Sequence, residues 1–155
     1  MGHRWATVYP RLVRHPSIRL RSDEVPMPSV LIVDDEQHIR LLIEQALEEL
    51  EDDGVELLTA PDGEVALDVV RNQAPDLVFL DVTMPKLNGF DACDRIKHEL
   101  GMTNTFVCML TAKGQAYDRE RGLEAGADLF MTKPFDPDEL LAIARRALHL
   151  DTGAE

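Results

Sequence analysis

Val30-Leu31-Ile32-Val33-Asp34-Asp35-Glu36 is four apolar residues in a row closed by three acids. An unbroken apolar run this short suits a strand buried on both faces, since a half-exposed strand would alternate. Leu77-Val78-Phe79-Leu80 before Asp81, and Phe106-Val107-Cys108-Met109-Leu110 before Thr111, repeat the pattern; Val55 to Thr59 and Leu129 to Thr132 are weaker versions. The stretches between them change period. Ile39, Leu42, Ile43, Ala46, Leu47 and Leu50 recur at steps of three and four, as do Val65, Ala66, Val69 and Val70, and later Leu140, Leu141, Ala144, Ala147 and Leu148. Helices over Phe90 to Leu100 and Tyr117 to Ala125 complete the series, with Gly63, Gly101, Gly114 and Gly126 as punctuation. Five strands alternating with five helices predict an α/β fold, a doubly wound five-stranded parallel sheet with right-handed crossovers over Ser29 to Leu150.

Ligands in such sheets bind beyond the carboxyl ends of the strands, where the winding reverses. In the strand order 2-1-3-4-5 the first and third strands are neighbours at that point. Asp34, Asp35 and Asp81 then converge, with Thr111 and Lys133 on the far side of the same shallow pocket. Paired acids after a strand also serve as N-caps for the next helix, a role open to Asp35 and Glu36.

Composition narrows the function. The chain has 155 residues, 45% hydrophobic and 29% charged, which suits one globular domain with a single core. No apolar run is long enough to cross a bilayer. A net charge of -13 argues against nucleic-acid binding by general electrostatics. That charge is unevenly placed. Residues 1–28 carry five arginines (Arg4, Arg11, Arg14, Arg19, Arg21) against Asp23 and Glu24, a net of +3; the remaining 11 basic and 27 acidic residues give -16. Four prolines and no sustained period make 1–28 an irregular basic extension, with Met27 as an alternative start. A basic arm for an acidic partner or an Arg-rich targeting peptide are its functional readings; Pro10, Arg11, Arg14 and Pro16 exclude a secretory h-region. Residues 151–155 form a tail after the domain at 29–150. Cys93 and Cys108 lie far apart in no Cys-x-x-Cys pattern, so neither a disulfide framework nor a zinc site is indicated.

Val30 to Glu36, Asp81-Val82-Thr83-Met84-Pro85-x-x-x-Gly89-Phe90, Thr111-Ala112, and Gly126-Ala127-Asp128 through Lys133-Pro134-Phe135 occur in order, each at a strand end. Together they resemble the receiver domain of two-component response regulators, of the stand-alone, chemotaxis-regulator-like kind, over about four-fifths of the chain. The resemblance implies a flavodoxin-like fold, Mg²⁺ as cofactor and Asp81 as phosphoacceptor. It implies Asp35, Asp81 and the Thr83 backbone carbonyl as metal ligands, with Asp34 acting through a water. Lys133 would donate to Asp81 at rest and to the phosphoryl group afterwards, turned inward by a cis bond to Pro134. The Thr111 hydroxyl and the Ala112 backbone N–H would bind phosphoryl oxygens. Thr111 and Phe130 would form the switch, altering the surface of the fourth helix, fifth strand and fifth helix for a downstream protein. The phosphoryl donor would be a histidine kinase or histidine phosphotransfer protein. The expected setting is cytoplasmic, without nucleic acid or a membrane span.

Three positions of the resemblance are distinctive. Thr83 and Lys113 would flank the path of the hydrolytic water and tune autodephosphorylation. Ile143 stands where DNA-binding relatives often carry an arginine for an intersubunit salt bridge, with Arg145 and Arg146 on other faces of the helix. The chain is expected to catalyse only its own phosphorylation and dephosphorylation. An aspartate-nucleophile phosphatase of the haloacid dehalogenase kind is the competing class; it wants a second Asp two residues after the first, where Thr83 stands. A degenerate receiver, or a receiver fragment whose output domain has been removed, are the remaining alternatives.

Overall fold

The computed structural model describes residues 27–112 and 116–150, and their side chains apart from those of 116–118. The leader to residue 26, the tail 151–155 and Lys113 lie outside the described residues. In chain order the elements are β1 (Ser29–Val33), α1 (Gln37–Ala46), β2 (Glu56–Ala60), α2 (Gly63–Gln73), β3 (Leu77–Asp81), α3 (Gly89–Asp94), β4 (Phe106–Thr111), α4 (Ala116–Ala125), β5 (Leu129–Thr132) and α5 (Pro137–Ala147). All strand pairs are parallel and the sheet order is β2-β1-β3-β4-β5, the predicted doubly wound topology.

β1 and β3 are buried along their whole length, as their unbroken apolar runs require. Successive side chains serve opposite layers. Val30, Ile32, Leu77, Phe79, Cys108 and Leu110 pack beneath α1 and α5 with Ile43, Leu47, Leu140 and Ala144. Leu31, Val33, Val78, Leu80, Val107 and Met109 face Ala66, Leu67, Val70, Phe90, Cys93 and Ile96 of the opposite layer. Burying a side chain of this size is worth about 1.5–3 kcal/mol, so two continuous layers fix the register and hold every strand end in place. Asp62, Asn88 and Asp136 cap α2, α3 and α5 by accepting from Val65, Asp91 and Asp138 N–H groups at 2.9 Å each. No helix among the described residues is long and apolar enough to cross a membrane.

The structure departs from the sequence pattern in three places. α1 ends at Ala46, and the apolar period continues as a 3₁₀ segment over Glu48–Asp53 that buries Leu50 and ends at Gly54 with φ 86°. Leu42 is 51% exposed although it shares the helical period, because the stripe facing the sheet runs through Ile39, Ile43 and Leu47. The third departure is α3, which gives way to a π turn over Arg95–Glu99, with Leu100 N–H donating to Arg95 O at 2.7 Å. This wide turn carries Lys97 inward. Its Nζ reaches the Thr105 carbonyl and Asp128 Oδ2 (2.9 Å), while its stem lies against Gly126. An ammonium buried this deeply needs such partners, and the π turn supplies the reach.

Candidate functional site

β1 and β3 are adjacent, with Val33 opposite Leu80, so their carboxyl ends open side by side. Asp34 follows β1 and Asp81 ends β3. One carboxylate oxygen from each of Asp34, Asp35 and Asp81 lies within 4.8 Å of the others, the only such cluster among the described residues. Asp34 is fully buried and its carboxylate is engaged at both oxygens. Oδ1 accepts from Glu36 N–H at 2.9 Å and Oδ2 from Lys133 Nζ at 3.0 Å. Asp35 is exposed, and no hydrogen bond or ion pair among the described residues holds its carboxylate. Neither acid caps α1: Glu36 occupies the N-cap position without a side-chain bond, and the Asp34 carboxylate receives the Glu36 amide instead.

Lys133 enters from the end of β5. Its peptide bond to Pro134 is cis, and its own N–H donates to Thr111 O at 2.7 Å. The ammonium bonds Asp34 at 3.0 Å and Asp81 at 3.2 Å. The resting contact with Asp81 is the expected one, and the same ammonium also bonds Asp34. The long side chain crosses the pocket and bridges both acids, because one cation between two buried carboxylates offsets more repulsion than one beside a single carboxylate. The Thr83 backbone N–H also donates to the Asp81 carboxylate.

These contacts set the charge balance. Burial, and then repulsion from Asp34, push Asp81 up from 3.8 to about 6, with Lys133 and the Thr83 amide pulling the other way. Burial acts to lower the Lys133 ammonium, but the hydrogen bond to Asp34 and the attraction of both acids outweigh it, so its net shift is upward. The pocket holds more negative charge than its own cation compensates. Burial raises the Cys93 and Cys108 thiols to about 12, leaving neither poised as a nucleophile.

Backbone packing aims Asp81. Gly89 begins α3 directly against the Asp81 carbonyl and within 2.8 Å of Val82 Cα from where a Cβ would stand, and its N–H donates to Val82 O at 2.9 Å. Only a residue without a side chain fits there. The loop after Asp81 also presses on α2, where a Cβ on Gly63 would meet Leu87 O at 2.6 Å.

Thr111 is buried at the end of β4, and its hydroxyl donates to Met131 O at 3.4 Å rather than to a carboxylate. Ala112, which follows it, is exposed. Phe130 is half-buried in β5. Its ring fills the space a Cβ on Gly122 would occupy, close to Met109 Sδ, with the Arg119 guanidinium 5.2 Å from the ring centroid. Ile143 packs against the α1 and α5 layer, and Arg145 pairs with Glu49 at 2.7 Å and Asp53 at 3.2 Å. The sequence reading missed Arg40, whose Nη1 donates to the Asp34 carbonyl at 2.6 Å. A lone arginine six residues after an acid carries no pattern that would single it out.

A doubly wound parallel sheet with three carboxylates and a lysine at its switch point defines a receiver-type signalling module. The response regulator receiver domain pattern matches residues 30–145, and the chain belongs to that family of two-component receiver domains. It is 43% identical over 125 residues to a probable transcriptional regulator, ycf27, of Cyanophora paradoxa, covering 81% of this chain and 50% of that protein. It is 42% identical over 119 residues to the alkaline phosphatase synthesis transcriptional regulatory protein PhoP of Bacillus subtilis, covering 77% of this chain and 48% of that one. The structure of chemotaxis protein CheY4 of Vibrio cholerae matches with a TM-score of 0.70 at 32% identity, covering 79% of this chain and 99% of that one. The chain thus spans about half the length of the curated relatives it matches. Their names as transcriptional regulators stand against the expectation of no nucleic-acid partner.

Proposed function

We propose that this receiver takes a phosphoryl group onto Asp81 from the phosphohistidine of a histidine kinase or histidine phosphotransfer protein, in a Mg²⁺-dependent reaction. The observation that carries this reading is the convergence of three carboxylates within 4.8 Å around one shared ammonium. The donor set is all oxygen and the Asp35 carboxylate faces solvent without a partner, which suits a hard cation that retains several waters. Asp35, Asp81 and the Thr83 carbonyl would hold the ion, with Asp34 acting through a water. When bound, Mg²⁺ relieves repulsion among the acids and neutralises charge developing on the transferred group.

An Asp81 carboxylate oxygen forms the new P–O bond as the P–N bond breaks, its electron pair returning to the imidazole nitrogen. Lys133 moves from its Asp34–Asp81 bridge to a phosphoryl oxygen, and the Thr111 hydroxyl and Ala112 N–H donate to the others. Thr111 must leave the Met131 carbonyl to do so, which frees space for Phe130 to shift. The surface of α4, β5 and α5 then changes its preferred protein partner, a two-state equilibrium biased by a modification. Thr83 and Lys113 tune the decay of the phosphoryl group. The chain turns over no external substrate and acts in the cytoplasm. A second reading, the receiver portion of a longer regulator with an output domain, is favoured by one observation: the matched transcriptional regulators are about twice as long as the shared segment.

Incubation with Mg²⁺ and a small acyl phosphate, followed by intact mass measurement, tests the assignment. Wild type gains one phosphoryl group and Asp81→Asn gains none. Sustained turnover of phosphate esters would instead support the aspartate-nucleophile phosphatase.

A further inference from the structure

Four bonds fix every polar group of Asp34. Its N–H donates to Ala60 O at 3.3 Å, Oδ1 accepts from Glu36 N–H at 2.9 Å, Oδ2 from Lys133 at 3.0 Å, and its carbonyl from Arg40 Nη1 at 2.6 Å. The last contact has no part in the phosphoryl chemistry above. Arg40 sits in the second turn of α1 and reaches back over the helix start to the acid pair. The carbonyl it holds belongs to the peptide that joins Asp34 to Asp35. With the Glu36 N–H already held on Asp34 Oδ1, fixing that plane restrains both peptides that flank Asp35, and with them the direction in which its side chain leaves the backbone.

Asp35 needs this help more than either other acid. Asp34 and Asp81 are buried and share Lys133, whereas the Asp35 carboxylate is exposed and unbonded among the described residues. The start of α1 offers nothing in exchange, since Glu36 makes no side-chain cap and the first turn holds no acid.

We propose that Arg40 is a positioning residue for divalent cation binding. Its guanidinium locks the Asp34–Asp35 peptide and thereby aims the Asp35 carboxylate into the pocket it shares with Asp34 and Asp81. This rests on the reading of that pocket as the Mg²⁺ site. The two physical effects of Arg40 have opposite signs. Its charge, acting alone, repels a cation, so its removal would tighten binding; its positioning contact favours binding, so its removal would loosen it. Groups that orient metal ligands from behind are typically worth about 10–100-fold in affinity, and positioning wins on that scale.

The test is calorimetric titration of Mg²⁺ into the full-length, metal-free protein, comparing wild type with Arg40→Met, Arg40→Gln, Arg40→Lys and Asp35→Asn. Urea midpoints of each are measured without Mg²⁺. The expected result is Mg²⁺ affinity at least about 10-fold weaker in Arg40→Met, with part of the loss restored in Arg40→Lys, which keeps a donor for the carbonyl. Arg40→Gln takes the place of Arg40→Met if the latter does not fold. Affinity unchanged or tightened in the folded variants overturns the positioning role and leaves the Mg²⁺ site standing. Wild-type binding that is absent, or that Asp35→Asn leaves untouched, overturns the Mg²⁺ site and the role of Arg40 together.

Discussion

Asp81→Asn is expected to make the protein more stable, and by an amount that depends on pH. Asp81 is 4% exposed, and burial and Asp34 raise it from 3.8 to about 6. A carboxyl whose folded value lies above its unfolded value favours folding while protonated. That contribution is complete below 3.8 and is lost as the pH rises through about 6. A shift of this size corresponds to ~3 kcal/mol of cost for the ionised folded state at pH 8, at about 1.4 kcal/mol per unit. Asparagine carries no charge at any pH and escapes the cost. In the absence of divalent cations, urea unfolding at pH 8 should show Asp81→Asn more stable than wild type by about 1–3 kcal/mol. The gap should shrink to roughly half near pH 5, midway between the two values, and close at lower pH. Mg²⁺ should narrow it at pH 8 by stabilising wild type alone, through binding to the folded state. A mutant no more stable than wild type at pH 8, or a gap of equal size at pH 5 and pH 8, would refute the view that the site stores unbalanced negative charge.

Two further expectations concern parts of the fold outside the acid pocket. Lys97→Met breaks the buried pair with Asp128, whose Oδ2 also receives Val107 N–H at 2.8 Å. Because the Asp128 side chain is 35% exposed, the loss should fall at about 2–4 kcal/mol in urea unfolding, with the rate of Asp81 phosphorylation unchanged at the opposite end of the sheet. Gly122→Ala places a methyl group where the Phe130 ring lies and should cost about 1–3 kcal/mol. In a Phe130→Ala background the same change should cost much less, and a double-mutant cycle giving no coupling would separate the two residues.

The strands that build the pocket were legible because each is buried on both faces, so Val30 to Val33 and Leu77 to Leu80 appear as unbroken apolar runs. Asp34, Asp35, Asp81, Thr111 and Lys133 were legible for a related reason. They interrupt or follow those runs at the strand ends where such sheets bind ligands. What escaped depended on residues distant in sequence. The π turn in the third helix exists because Lys97 must reach Asp128, 31 residues away, and no local period announces it. Leu42 fits the helical period of α1 yet stays half exposed, because the period alone does not state how wide the covered stripe is. Lys133 bridges Asp34, 99 residues earlier, as closely as Asp81. The Arg40 contact is made to a backbone carbonyl, which carries no side-chain signal at all.

Of the three clustered acids, Asp81 is the one proposed to receive the phosphoryl group on its carboxylate. Borohydride reduction tests this most directly, because it converts an aspartyl phosphate to homoserine and leaves a free carboxylate untouched. The protein is treated with Mg²⁺ and a small acyl phosphate, reduced and mapped by peptide mass spectrometry. Homoserine is expected at position 81 alone, and only when Mg²⁺ is present. Homoserine at Asp34 or Asp35, or none at any of the three positions, would contradict that assignment.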